Sequence, residues 1–299
     1  MIKIITQPSV FLVGEQTVNS IELEQFLRNH DVEWGSDSEV PAEVLAETAG
    51  RVCYMSFAKP RPGGNAAYFG HIKEVGHGSV LEHAVWNFIF TGVSRTLTHE
   101  LVRHRAGWGY SQLSQRYVDE SEGEYVLPHD LREEWEACAD WFAGDKTVNP
   151  TPGMLAASKW QNSVLDSHLA YVDQVNYQLV KQYNLRYPQD GYTTIKQVRE
   201  ALSRNKSGIS TEIRKAARQA ARSVLPNCTE TKIFATANAR AIRHFLEQRG
   251  SRHAEPEIRK LANAVHAMMA EASPNLFGDY RRVELPDGTY ELQTDFPKV

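Results

Sequence analysis

The chain has 299 residues, 41% hydrophobic and 23% charged, with a formal net charge of −4 at pH 7. That size suits one large domain or two small ones, and the composition is that of a globular protein. The slight acidity excludes a generally basic, nucleic-acid-coating surface, and no run of about 18 apolar residues occurs that could cross a membrane. Three scattered cysteines, Cys53, Cys138 and Cys228, exclude a disulfide framework and point to a cytoplasmic, reducing location.

In chain order, Met1 to Thr6 lack a signal-peptide pattern, and their alternation predicts a first strand near Ile2–Phe11. A helix near Ser20–Arg28 follows, then an acidic loop over Val32–Pro41. Helical spacing returns over Pro41–Met55, Pro60–Asn65 reads as a Pro/Gly loop, and Ala66–Val75 reads as a helix. The apolar run in His83–Gly92 predicts a buried strand, and Ser94 is an N-cap candidate for a helix to Arg105. Ser114–Leu127 reads as strand and loop, and Gly153–Asn184 as a long helix. A helix over Thr211–Leu225 should end at Pro226. Thr229–Ala237 alternates as a strand, Asn238–Gln248 reads as a helix that Gly250 caps, and Pro256–Ala272 as another. Val283–Thr294 reads as a hairpin around Pro286-Asp287-Gly288. These elements predict one α+β domain over residues 1–299, with a central sheet flanked by helices and a long helical insertion.

The densest chemistry lies in Arg103-His104-Arg105 and in Tyr110-Ser111-Gln112-Leu113-Ser114-Gln115-Arg116-Tyr117. Arginine presents a fork of donors that fits a phosphate or an imide edge, and Ser, Gln and Tyr can orient a sugar and a base. On a helix, three consecutive residues fan over more than half a turn at about 100° each, so the triplet suits a long ligand such as a dinucleotide. A charged helix end is the plainer reading of the triplet alone. Arg214, Arg218 and Arg222 at i, i+4 and i+8 read by default as a solvated basic stripe. Arg240 and His244 can share a helix face, Asn238 is a natural N-cap, and a lone His77 before a strand is more often structural.

Several chemistries are excluded. His99-Glu100-Leu101-Val102-Arg103-His104 is not HExxH, because Arg103 stands where the second metal-binding histidine belongs. No GxGxxG follows a strand and no GxxxxGK[ST] occurs, so neither a Rossmann fingerprint nor a P-loop is present. Ser114 has no assigned base and reads as a phosphate ligand rather than a nucleophile. No metal site is expected.

The Arg103-His104-Arg105 triplet, its spacer and Ser114-x-Arg116-Tyr117 resemble the signature of the flavin-dependent thymidylate synthases. Further segments agree in order. His77-x-Ser79-x-x-Glu82-His83 lies upstream. Ala221-Arg222-x-x-Leu225-Pro226, Asn238-x-Arg240, His244-Phe245-x-x-x-Arg249 and Glu257-Ile258-Arg259 lie downstream. The resemblance runs from about Arg51 to about Tyr280 and is weak from Glu133 to Ser207. It implies C5-methylation of a uridylate, dUMP to dTMP, with methylenetetrahydrofolate as carbon donor and FAD, reduced by NADPH, as hydride source. It assigns FAD to His77, Ser79, Arg103, His104, Arg105, Gln112, Asn238, Arg240 and His244. It assigns the nucleotide to Glu100, Arg103, Gln112, Leu113, Ser114, Gln115, Arg116, Arg222 and Arg249. Arg249 is the expected catalytic residue, facing the uracil edge. A homotetramer with active sites shared between subunits is implied, with no nucleic-acid or membrane partner.

Two departures stand out. The spacer Ala106–Leu113 is one residue longer than relatives usually have, with Gly107 and Gly109 around Trp108, and Glu100 stands where many relatives have Gln. A loop with that backbone freedom bears on sugar choice. A relaxed UMP/dUMP methylase of a nucleoside-antibiotic pathway, and a non-catalytic flavin- or nucleotide-binding homologue, therefore stay as alternatives. An RNA-binding role is disfavoured by the net charge and by the lack of aromatic–basic interleaving.

Overall fold

The computed structural model describes residues 2–59, 61–138, 149–204 and 208–299; Met1 of the predicted first strand and Pro60 of the predicted loop lie outside them. The elements, in order, are β1 (Lys3–Ile5), β2 (Ser9–Glu15), α1 (Ser20–Asn29), α2 (Pro41–Tyr54) and α3 (Gly64–Glu74). A 3-10 turn over Gly78–His83 leads to β3 (Val85–Ser94), α4 (Arg95–Leu101), β4 (Trp108–Gln112), β5 (Glu124–Val126) and α5 (Arg132–Ala137). Next come α6 (Pro152–Arg186), α7 (Ile195–Arg204), α8 (Gly208–Ala221), β6 (Glu230–Asn238), α9 (Ala239–Arg249), α10 (Pro256–Ala272), α11 (Pro274–Phe277), β7 (Arg281–Glu284) and β8 (Tyr290–Gln293). This is the expected α+β arrangement. The central sheet has the order β2-β3-β6-β4, and the helical insertion lies between β5 and β6. No helix among the described residues is long and apolar enough to cross a membrane.

The predicted N-terminal strand is two strands. Pro8 lacks the N–H a continuous ladder would use, and the chain changes sheet there: β1 pairs in parallel with β5, β2 antiparallel with β3.

The chain packs as two compact units. One comprises Met1–Thr6, Ser94–Thr96 and Gln112–Thr231, the other Gln7–Val93, Leu97–Ser111 and Lys232–Val299. In the second, β3 alternates from Val85 to Thr91. Trp86, Phe88 and Phe90 are buried and join Leu97, Leu101, Phe245, Leu261, Val265, Met269 and Phe277 in one core. The period of two puts every second β3 side chain on the face that the helices cover. Beneath this core, the fully buried Arg243 of α9 donates to Asp279 at 2.7 and 3.0 Å, and Lys73 donates to the same carboxylate at 2.7 Å. Burial alone would raise the Asp279 carboxyl, but its bonds to Arg243, Lys73 and Thr294 outweigh that and hold it down to about 2. The pair pins one face of α9 in the interior and leaves Arg240 and His244 exposed on that helix.

The first unit is built on α6, α7 and α8, whose core is Tyr171, Val175, Leu179, Val198, Leu202, Ile213 and Ala217. Thr151 caps α6 by accepting from the Met154 N–H at 3.2 Å, and Pro152 occupies the first turn, where its missing donor costs nothing. The α7 helix was not predicted. Val198 and Leu202 form its short apolar stripe, and Gln197 accepts from Thr194 at its start. At the end of α8, Arg222–Val224 tighten into a 3-10 turn and Leu225 goes extended, as a residue preceding proline should.

Candidate functional site

The helix carrying the triplet stops earlier than its sequence suggests. Ser94 is the last residue of β3, and α4 ends at Leu101, not Arg105. The reason is competition for backbone carbonyls. The Tyr110 hydroxyl lies 3.0 Å from Leu101 O and 2.9 Å from His104 O and shares its one proton between them, while the His104 N–H turns back to Leu101 O. Leu101 O is thereby taken from Arg105, the donor of a continued helix. The triplet therefore sits in a turn, with Arg103 and Arg105 exposed and His104 buried.

Gly107 then adopts φ +73°, and a Cβ there would lie 2.7 Å from Asn238 Nδ2 and 2.8 Å from the Ala241 Cβ. The spacer is thus pressed against the start of α9, where the Asn238 N–H donates to Gly107 O and the Asn238 side chain caps Ala241 N at 2.8 Å. What reads as a loop around Trp108 is the beginning of β4, and of its two glycines only Gly107 is left-handed. Gly250 is not left-handed either, with φ −81°; it is needed because a Cβ would meet Leu246 O at 2.5 Å and Leu292 at 2.8 Å.

A cleft of about 500 Å³ opens on this turn, lined by Arg103, His104, Arg105, Ala106, Trp108, His244, Gln248 and Arg249. A second, of about 490 Å³, is lined by Glu82, Asn238, Arg240, Glu247 and Lys298 among others, and shares Ala106, His244 and Gln248 with the first. At the first cleft, Arg249 Nε donates to His104 Nε2 at 3.1 Å. Its Nη1 donates to Glu100 Oε2 at 2.6 Å and its Nη2 to Glu100 O at 3.4 Å. Burial, then the charges of Arg249 and His244, lower the His104 imidazole to about 4. The ring is neutral at pH 7, and its role as acceptor at Nε2 places its proton on Nδ1. Trp108 stacks on Tyr110 at 5.6 Å and meets Phe245 edge-on, and its buried Nε1 has no hydrogen-bond partner among the described residues.

Arg240 pairs with Glu82 at 2.6 Å, both half-exposed. His77 and Ser79 are exposed at the 3-10 turn, and a Cβ on Gly78 between them would lie 2.9 Å from Arg240 Nε. Glu100, Arg103, His104, Arg105, His77, Ser79, Asn238, Arg240, His244 and Arg249 thus all belong to one unit.

The remaining candidates lie in the other unit. Gln112 Nε2 donates to Thr231 Oγ1 at 3.3 Å, and Arg95 Nη2 donates to Leu113 O at 2.8 Å. Ser114 Oγ accepts from the Arg116 N–H at 3.4 Å, and Ser114 O accepts from Tyr117 and Val118, closing a tight turn that contains Gln115. Arg116 Nε is buried without a partner among the described residues. Of the supposed basic stripe, Arg214 donates to Leu202 O, Arg218 to Tyr117 O and Asp119, and Arg222 is exposed. Burial, opposed by Glu120 and reinforced by the charge of Arg222, lowers the Arg95 guanidinium. Arg95, Gln248 and Lys298 were not among the predicted site residues, and Trp108 was noted only as part of the lengthened spacer. Arg95 carried a signal: a cation in the first turn of a helix opposes the helix dipole.

Among the described residues, no cluster of His, Cys, Asp and Glu could hold a metal ion. The adjoining clefts of this α+β fold are walled by guanidinium, imidazole and indole groups, a lining whose chemistry suits anionic ligands with flat rings. Residues 37–275 match the family described as thymidylate synthase complementing protein. The chain is 40% identical over 274 residues to the flavin-dependent thymidylate synthases of Mycobacteroides abscessus and Mycolicibacterium gilvum. It is 38% identical to that of Mycobacterium tuberculosis, in each case over 91% of this chain and 92% of the relative. The chain belongs to the flavin-dependent thymidylate synthase family, a family of transferase enzymes.

Proposed function

We propose that this chain methylates C5 of a uridylate, dUMP to dTMP, with methylenetetrahydrofolate as carbon donor and NADPH-reduced FAD as hydride source. The observation that carries the reading is the hold on Arg249. Three of its five N–H groups are committed to His104 and Glu100, which leaves two for a ligand in the cleft. An imide that has lost its N3 proton is an acceptor edge that fits two parallel N–H donors, and the negative charge so stabilised raises nucleophilicity at C5. The residues lining the two clefts include no cysteine, so a thiolate that adds at C6 has no counterpart there.

The clefts also suit a flavin dinucleotide. Arg103, Arg105 and Arg240 bring cations to its phosphates, His244 and Trp108 bring ring faces, Asn238 brings a polar contact, with His77 and Ser79 on either side of Gly78, and Gln112 contributes with its loop from a neighbouring subunit. When bound and reduced, FAD supplies the hydride that completes the methyl group. Gln112, Leu113, Ser114, Gln115 and Arg116, with Arg222, hold the nucleotide phosphate and sugar, the loop serving a neighbouring subunit's site in a cytoplasmic homotetramer. Trp108, at the lengthened spacer, lines the first cleft and keeps UMP open as a second substrate.

The test is methylation of dUMP and UMP in parallel by purified protein with FAD, NADPH and methylenetetrahydrofolate, the 5-methyl product being identified by mass. Product from dUMP alone supports the main reading, and product from both makes the enzyme a relaxed methylase. No product from either, with flavin still bound, would sink the catalytic reading and favour a binding homologue.

A further inference from the structure

We infer that His104 and Glu100 are positioning residues for Arg249: together they fix the plane of its guanidinium and set how much of its charge reaches the ligand. The inference rests on the uridylate reading given above and adds a role to two residues that the family resemblance gives to the flavin and the substrate.

The geometry supplies the argument. His104 and Arg249 are 145 positions apart, yet Nε of the arginine meets Nε2 of the imidazole at 3.1 Å. Only 8% of His104 is exposed, so its ring has little freedom to turn within its surroundings. The Tyr110 hydroxyl holds the His104 carbonyl from below, and His244 and Phe245 stand edge-on to the ring at 5.6 and 5.4 Å. The imidazole is therefore fixed in place before any ligand arrives. Glu100 takes the second contact at 2.6 Å from the last turn of α4. Two acceptors on neighbouring edges of a planar fork determine its orientation, which one acceptor cannot do.

The two acceptors differ in charge. Neutral His104 orients Arg249 without weakening it, an outcome that burial and the nearby charges of Arg249 and His244 enforce. Glu100 is an anion paired with the same guanidinium and offsets part of its positive charge. A glutamine at position 100 would preserve an acceptor and remove that offset. The bound uracil should then lose its N3 proton at a lower pH than in the wild type.

Two measurements test this on the full-length protein. In the first, dUMP and FAD affinities are compared for His104→Phe, His104→Gln, Glu100→Ala and Glu100→Gln. Loss of either acceptor should weaken dUMP by roughly tenfold or more, as expected for a hydrogen bond to a charged group, while FAD affinity stays within about twofold. His104→Gln should recover most of the loss. Glu100→Gln should retain dUMP affinity and shift the ultraviolet titration of bound dUMP toward lower pH. Loss of FAD affinity with dUMP affinity intact in the His104 variants would overturn the inference, as would an unshifted titration in Glu100→Gln. The second measurement needs no ligand and no variant of a buried residue. Nitrogen NMR should show His104 Nε2 unprotonated in the wild type, and its titration midpoint should rise in Arg249→Met. An unchanged midpoint overturns the positioning role. A wild-type protein that fails to bind dUMP would instead sink the uridylate reading, and the imidazole titration would still decide the His104–Arg249 contact.

Discussion

Gly107→Ala should damage the site without touching any side chain that lines the first cleft. Two costs add. A left-handed backbone carries a penalty of roughly 1–2 kcal/mol for a residue with a Cβ. The new methyl carbon would also lie 2.7–2.8 Å from Asn238 and Ala241, too close to persist without movement. The group free to move is the Asn238 side chain, which caps α9 through Ala241 N, and loss of such a cap costs about 1 kcal/mol. The total is about 2–3 kcal/mol, a fall in Tm of roughly 3–5 °C for a chain of this size. Thermal unfolding followed by circular dichroism reads it, with Asn238→Ala as the control that removes the cap alone. If the clash acts through the cap, the double variant should cost less than the two single losses added together, because the two sites are in contact. Strict additivity, or a Gly107→Ala melting curve that overlays the wild type, would refute the reasoning. FAD affinity should fall with stability, since the displaced Asn238 lines the second cleft.

Other outcomes follow from the same geometry. Arg249→Lys should lower kcat by about 10²–10³, as loss of a preorganised donor does, because one ammonium cannot serve His104, Glu100 and the uracil together; steady-state assays with dUMP check it, and a loss below tenfold would contradict the role. Asp279→Asn should destabilise the protein, and the pH dependence has a fixed sign. The native carboxyl is held at about 2 against 3.8 when unperturbed, so its stabilisation is complete above 3.8 and fades as pH falls toward 2. Acid unfolding curves of the variant should therefore lose slope in that window. His104 works in the same direction at higher pH: its imidazole is lowered from 6.5 to about 4, so the unfolded chain takes up the extra proton and stability declines as pH drops from 6.5 toward 4. His104→Gln should flatten that decline, and an unchanged slope would argue against a buried neutral ring. Glu82→Gln should leave Tm within about 1 °C, since half-exposed ion pairs contribute little, while Arg240→Ala should weaken FAD severalfold in a fluorescence titration.

Much of the fold was legible along the chain because its signals are local. Pro256–Ala272 was read to the residue, since a proline at the first helical position and an apolar stripe at helical spacing both lie within the segment. The alternation of Trp86, Phe88 and Phe90 announced a buried strand, and Asn238 announced the start of α9. Other features depend on groups far away in sequence or on backbone contacts. The helix before the triplet ends at Leu101 because a tyrosine nine positions later claims its carbonyl. Gly250 is a glycine because β8 passes too close for a Cβ, although its place after a helix suggested a left-handed cap. Most of all, the sequence supplied Arg249, His104 and Glu100 as separate motif residues, whereas folding joined them into one hydrogen-bonded unit. Helix periods, caps and proline effects act over a few residues and can be read in one dimension. Which acceptor an arginine finds 145 positions away is decided by how two elements pack, and that exists only in the folded chain.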